Sequence, residues 1–165
     1  ISKLANAGFD IIIRPHPQSL KTEPEFLNKC RKELNSHDIR WDMKIDPSQS
    51  MHESDILISD TSSLRFDYAC LYSKPVITLN IPKENLLAYE RADLIESWYE
   101  TASYQIGPVI GHESMFRIDL VVAEILDTYQ ALDHPVFKKE IVQNFGNCAS
   151  AIVNHLVQLN TRGLQ

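Results

Sequence analysis

The amino-acid sequence predicts an α/β protein built on a doubly wound parallel sheet. Two observations carry that expectation: short apolar runs of strand length alternate with segments of helical period, and Gly and Pro punctuate the joints. Strands linked through helices run parallel with right-handed crossovers, and ligands of such sheets lie beyond the carboxyl ends of the strands. At 165 residues the chain fits a single domain.

Ser2 to Ala7 reads as the end of a helix closed by Gly8, and Phe9 to Arg14 is a continuous apolar strand. Pro15 and Pro17 stop that strand. Pro24 starts a helix to about Asn35, with Phe26, Leu27, Cys30 and Leu34 on one side. A second strand is expected at Ile39 to Met43, a short helix at Pro47 to Glu53, and a compact strand at Asp55 to Ser59. Leu64 to Tyr72 carries Leu64, Tyr68 and Leu71 at helical spacing, and Val76 to Leu79 completes a β-α-β unit. Further on, Ala92 to Ala102 reads as helix, Tyr104 to Ile110 as strand, and Glu113 to Leu132 as a long amphipathic helix aligning Phe116, Leu120, Ala123 and Leu126. Helices over Val136 to Asn144 and Ala149 to Leu159 finish the chain, with Gly146 and Asn147 between them.

Composition narrows the function. A net charge of -6 argues against a nucleic-acid surface, which needs a clustered basic face. The longest apolar runs are far short of the roughly 20 residues a membrane-spanning helix takes. Cys30, Cys70 and Cys148 are widely spaced and form no CxxC pair, which suits a reducing, cytoplasmic setting. No GxxxxGK[ST], GxGxxG or GxSxG occurs.

Two segments carry chemistry. The first is Ser59, Asp60, Thr61, Ser62 and Ser63, where a strand runs into a hydroxyl-rich turn and a helix start. Free N–H groups and hydroxyls there suit a phosphate, yet the same residue types are standard helix caps, so a phosphate site and a well-capped helix both fit. Asp60 would repel an anion and is expected to hold the loop through backbone N–H groups. Asp67, four residues after Ser63, either accepts the Ser63 hydroxyl from one helix face or is a solvated helix acid. The second segment is Arg14-Pro15-His16-Pro17 at a strand's carboxyl end. The prolines stiffen the backbone around a histidine, a residue type that suits either a base or a phosphate contact, and Arg14 offers a fixed positive charge. His16 as an ordinary loop histidine is the plainer alternative. The other five histidines show no metal-ligand spacing.

Arg14-Pro15-His16-Pro17, then Ser54-Asp55-Ile56-Leu57-Ile58-Ser59-Asp60-Thr61-Ser62-Ser63-Leu64-Arg65-Phe66-Asp67-Tyr68, Lys74-Pro75-Val76-Ile77 and Gly107-Pro108-Val109-Ile110 together resemble the CDP-glycerol glycerophosphotransferase family, the teichoic acid polymerases and their relatives. The resemblance runs from about Gly8 to Val153. It implies the Rossmann-like C-terminal half of a two-domain GT-B transferase, with a first strand and an acceptor domain upstream of Ile1. It also implies a CDP-activated donor as substrate and no cofactor or metal. His16 takes the place of the family's functional histidine, Ser59 to Ser63 that of the loop beside the donor diphosphate, and Asp67 that of the acid in the family's Phe-Asp-Tyr stretch. The implied acceptor is a polyol-phosphate or glycan, met at the inner face of the membrane through regions outside this chain, so the chain alone is expected to bind donor weakly and turn over nothing. Two other readings fit a fold of this class: a GT-B sugar transferase or epimerase on a UDP- or CMP-sugar, and a non-catalytic binding domain.

Overall fold

The structure is a computed structural model that describes residues 1–80, 101–129, 144 and 146–162. Helix α1 (Ser2–Asn6) leads into β1 (Ile11–Ile13), followed by α2 (Ser19–Thr22), α3 (Pro24–Glu33), β2 (Ile39–Trp41), α4 (Ser48–Glu53) and β3 (Leu57–Ser59). Helix α5 (Leu64–Asp67) continues as a π-helical turn, Tyr68–Tyr72, into β4 (Val76–Leu79). Helical residues 101–106 (α6) precede β5 (Val109–Ile110), a 3₁₀ turn over His112–Arg117, α7 (Ile118–Thr128) and α8 (Cys148–Arg162).

Among the described residues every strand pairing is parallel, as the alternation predicts. β1 pairs with β2 in the register Ile11 to Ile39, β3 with β4 at Leu57 to Val76, and β4 with β5 at Thr78 to Val109. Among the described residues the strands form two small sheets, β1-β2 and β3-β4-β5.

Successive strand residues face opposite sides, and β4 uses both. Val76 joins a cluster with Met51, Phe66, Ala69 and Ile106, whereas Ile77 joins Leu4, Ile118 and Val122. Val76 and Ile77 each have 0% exposure, and burying such a side chain is worth about 1.5–3 kcal/mol. Helices therefore cover both faces of the three-stranded sheet, which is the doubly wound arrangement.

Several elements follow their local signals closely. Gly8, at φ 86°, closes α1. The Gly8 and Phe9 N–H groups bond back to Ala5 and Leu4 carbonyls at 3.1 and 3.2 Å, the pattern of a Schellman cap. Pro24 occupies the first turn of α3, where its missing N–H costs nothing.

Others depart from expectation. Tyr104 to Ile110 is not one strand: 101–106 is helical, Ile106 is buried on that helix, and only Val109–Ile110 pairs with β4. The break is Gly107, whose backbone lies against β4. Leu71 does not share a buried face with Tyr68, because the π-helical turn widens the spacing and leaves Leu71 63% exposed. On α7 the face turned to the core is Ile118, Val122 and Ile125, while Phe116, Leu120, Ala123 and Leu126 are exposed. That helix is apolar almost all round, so periodicity alone does not select the face that meets the sheet. Phe26 of α3 is likewise exposed. The helix expected at Val136 to Asn144, and most of those expected at Ala92 to Ala102 and beyond Tyr129, fall outside the described residues; Cys148–Arg162 contains the last expected helix.

A β-carbon on Gly107 would lie 1.9 Å from the Val76 carbonyl oxygen, and its φ is +153°. Gly107→Ala is therefore expected to cost on the order of 3 kcal/mol. Gly8→Ala, where nothing lies within 4 Å and only the φ of +86° is strained, is expected to cost about 1 kcal/mol. Urea denaturation of the two variants checks the ranking; equal midpoints would show that the Gly107 contact does not constrain β4.

Candidate functional site

Apart from Asp67, which ends helix α5, the residues singled out by the sequence lie at two strand ends and the loops that follow them. The first follows β1. Arg14 Nη1 donates to Asp42 Oδ2 at 2.8 Å and its Nη2 to the Ile45 carbonyl at 2.6 Å. Asp42 sits just past the end of β2, and its own N–H returns to the Ile13 carbonyl at 2.9 Å. Its carboxylate also accepts the Ser50 hydroxyl of α4 and the Lys44 N–H. Arg14 is fixed, as a site charge needs to be, and an acid fixes it: the pair clamps the ends of β1 and β2 to α4.

The Ser50 hydroxyl, then the Lys44 N–H and Arg14, hold the Asp42 carboxyl down from the usual 3.8 to about 2, against the opposing effect of burial. An ionised Asp42 is thus a structural part of this end of the sheet.

His16 is exposed, and its Nδ1 accepts the Gln18 N–H at 3.2 Å. With Nδ1 occupied as an acceptor, the neutral ring carries its proton on Nε2 and presents a donor outward. No hydrogen bond among the described residues joins His16 to the second loop.

The second loop follows β3. Asp60 Oδ1 accepts the Ser62 N–H at 3.1 Å, so the acid does hold the loop through backbone. Ser62 Oγ accepts the Leu64 N–H at 3.4 Å, and Ser63 occupies the helix cap position with no side-chain cap bond. Among the described residues the Thr61 and Ser63 N–H groups, and the hydroxyls of Ser59, Thr61 and Ser63, have no hydrogen-bond partner. The capping roles are thus confined to Asp60 and Ser62, and the remaining donors are left over. Asp67 is exposed and makes no hydrogen bond to Ser63.

One residue of this site carries no motif signal. Arg65 is 1% exposed beneath the loop. Its Nε donates to the Ser62 carbonyl at 2.9 Å, and its Nη1 to Thr78 Oγ1 of β4 at 2.8 Å and to Ser103 Oγ of α6 at 2.9 Å. An arginine in the first turn of a helix ordinarily reads as a solvated charge. The available hint is its place between Leu64 and Phe66, on a helix packed against a sheet.

Parallel strands covered on both faces, with the two loops at strand carboxyl ends, define an α/β protein of Rossmann-like type. The family model for CDP-Glycerol:Poly(glycerophosphate) glycerophosphotransferase matches residues 1–111, a span that includes both loops, Arg65 and the five strands of the described residues. The chain belongs to that family, and hence to the transferases. No curated protein and no solved structure matches it. No helix among the described residues is long and apolar enough to cross a membrane.

Because the folded pKa of Asp42 lies below its unfolded value, its contribution is fully present above about pH 4 and is lost as pH falls through about 2. The amount at stake is on the order of 2 kcal/mol. Urea midpoints at pH 6 and pH 3 are expected to drop further in the wild type than in Asp42→Asn. An identical drop in both would remove the clamp from the acid response.

Proposed function

We propose that this chain binds a CDP-activated donor, CDP-glycerol, with its diphosphate on residues 59–63, and serves transfer of glycerol phosphate to a polyol-phosphate or glycan acceptor at the inner membrane face. One observation carries the reading: within the span matched by the family, a loop at the carboxyl end of the half-buried strand β3 retains N–H and hydroxyl donors that have no partner among the described residues. Such donors, at the start of a helical segment, are suited to phosphate oxygens.

In the proposed reaction the acceptor hydroxyl attacks the phosphorus that bears glycerol. A new ester P–O bond forms, the bridging P–O bond of the diphosphate breaks, and CMP leaves; the hydroxyl proton passes to a base or to solvent. Charge developing on the phosphates is met by the loop donors, so the reading invokes no resident metal and expects transfer to survive EDTA. His16 has a defined place in this scheme. While its Nδ1 accepts the Gln18 N–H, its neutral ring offers Nε2–H to a phosphate oxygen; service as a base at Nε2 requires the other tautomer, and with it the loss of that bond. The Arg14–Asp42 pair holds the strand end from which His16 projects.

Calorimetric titration tests the donor reading directly. Thr61→Ala with Ser63→Ala, which leaves the Ser62 cap in place, is expected to weaken CDP binding about tenfold with a small change in Tm; lower Tm with unchanged affinity would mark the loop as a cap only. A preference for UDP over CDP would replace glycerol phosphate by a uridine-linked sugar as the donor group.

In the full-length protein, His16→Ala is expected to lower kcat about 100-fold with a modest loss of donor affinity. His16→Gln, which keeps a donor, is expected to recover part of that rate. Full turnover by His16→Ala would take His16 out of the reaction, and no recovery by Gln would favour the base.

A further inference from the structure

Arg65 is the least exposed charged side chain among the described residues, at 1%. Three groups that its guanidinium binds belong to three separate elements: the loop after β3, strand β4 and helix α6. β3 and β4 are neighbours in the same sheet, so this one side chain ties the loop to the strand beside it and to the helix packed over both.

The contact with the loop has a directional consequence. The Ser62 carbonyl and the Ser63 N–H belong to one planar peptide unit, and the peptide is trans. In a trans peptide the C=O and N–H bonds point in opposite directions. Arg65 Nε grips the carbonyl from the buried side, and the Arg65 backbone N–H adds a longer bond to the same oxygen at 3.3 Å. The Ser63 N–H is thereby turned away from the core, and it has no protein partner among the described residues.

We propose that Arg65 is a positioning residue for donor binding: it fixes the plane of the Ser62–Ser63 peptide against β4 and α6, so that the Ser63 N–H faces the donor diphosphate. This rests on the reading of residues 59–63 as the donor loop. Arg65 itself touches no substrate. The geometry requires the planar fork of arginine, since Nε and Nη1 act on different elements at fixed separation. A lysine ammonium on a flexible stem keeps the charge and loses that arrangement.

The test compares ligands that do and do not carry the diphosphate. In the full-length protein, binding of CDP and of cytidine is measured by calorimetry and by ligand-observed NMR for wild type, Arg65→Lys, Arg65→Met, Thr78→Val and Ser103→Ala. Both Arg65 variants are expected to lose about tenfold or more in CDP affinity, with cytidine affinity unchanged within about twofold. Thr78→Val and Ser103→Ala, each removing one anchor, are expected to lose about two- to fivefold for CDP alone. They decide the matter if Arg65→Met fails to fold. Equal losses for CDP and cytidine, or CDP affinity at the wild-type level in Arg65→Lys, would overturn the assignment and leave the donor loop intact. Absence of CDP binding by the wild type would overturn the donor loop together with it.

Discussion

Strand β4 is where the two helical layers meet. Val76 and Ile77 are adjacent in the chain, have no exposed surface, and enter two different apolar clusters. On one side β4 is held in register by β3, and on the other β5 approaches so closely that Gly107 has no room for a side chain over the Val76 carbonyl. The second loop of the candidate site, at residues 59–63, is referred to this strand. β3 brings the loop of residues 59–63 alongside it, and Thr78 offers the hydroxyl to which the buried arginine is moored.

The polar parts of the molecule are arranged at the carboxyl ends of the strands, and each end has its own fastening. At β1 and β2 it is the Arg14–Asp42 pair, extended by Ser50. At β3 and β4 it is Arg65, with neutral oxygens as its partners in the loop, β4 and α6. Buried ion pairs and buried hydrogen-bonded charges contribute little net stability when compared with apolar packing, but losing one partner is costly. Their effect here is to fix geometry: each tie restricts the conformations open to a short loop. A loop fixed before its ligand arrives spends less conformational entropy on binding.

The neighbouring side of the sheet shows the same economy. Tyr68 donates to the Ser54 carbonyl at 2.9 Å, and Lys74 donates to the same carbonyl at 2.6 Å, so the entry to β3 and the exit from the π-helical turn are tied together. Burial pushes the Tyr68 hydroxyl up to about 12, so it is a protonated donor at neutral pH. The departure from α-helical winding at Tyr68–Tyr72 is what places Tyr68, Ala69 and Cys70 in the core while Leu71 faces out.

The sequence by itself determined the class of the fold, the parallel order of strands, the closing of α1 at Gly8, the start of α3 at Pro24 and the position of both loops. These are local matters: apolar runs, proline and glycine act within a few residues and leave a mark wherever they occur. The fragment Asp55 to Ser63 was legible as a strand opening onto a polar turn, and the role of Asp60 as a backbone holder followed from its chemistry. What only the tertiary structure decided depends on partners distant in sequence. The face of α7 that is buried was set by the sheet it meets, since Leu120 and Val122 are equally apolar. The break of the last strand at Gly107 was set by the carbonyl of Val76, thirty-one positions earlier in the numbering. Arg14 acquired its acid from the residue after β2, and Arg65 its hydroxyls from β4 and α6, over separations of 28, 13 and 38 residues. No local pattern encodes such pairings, because the groups meet only once the sheet has brought them together.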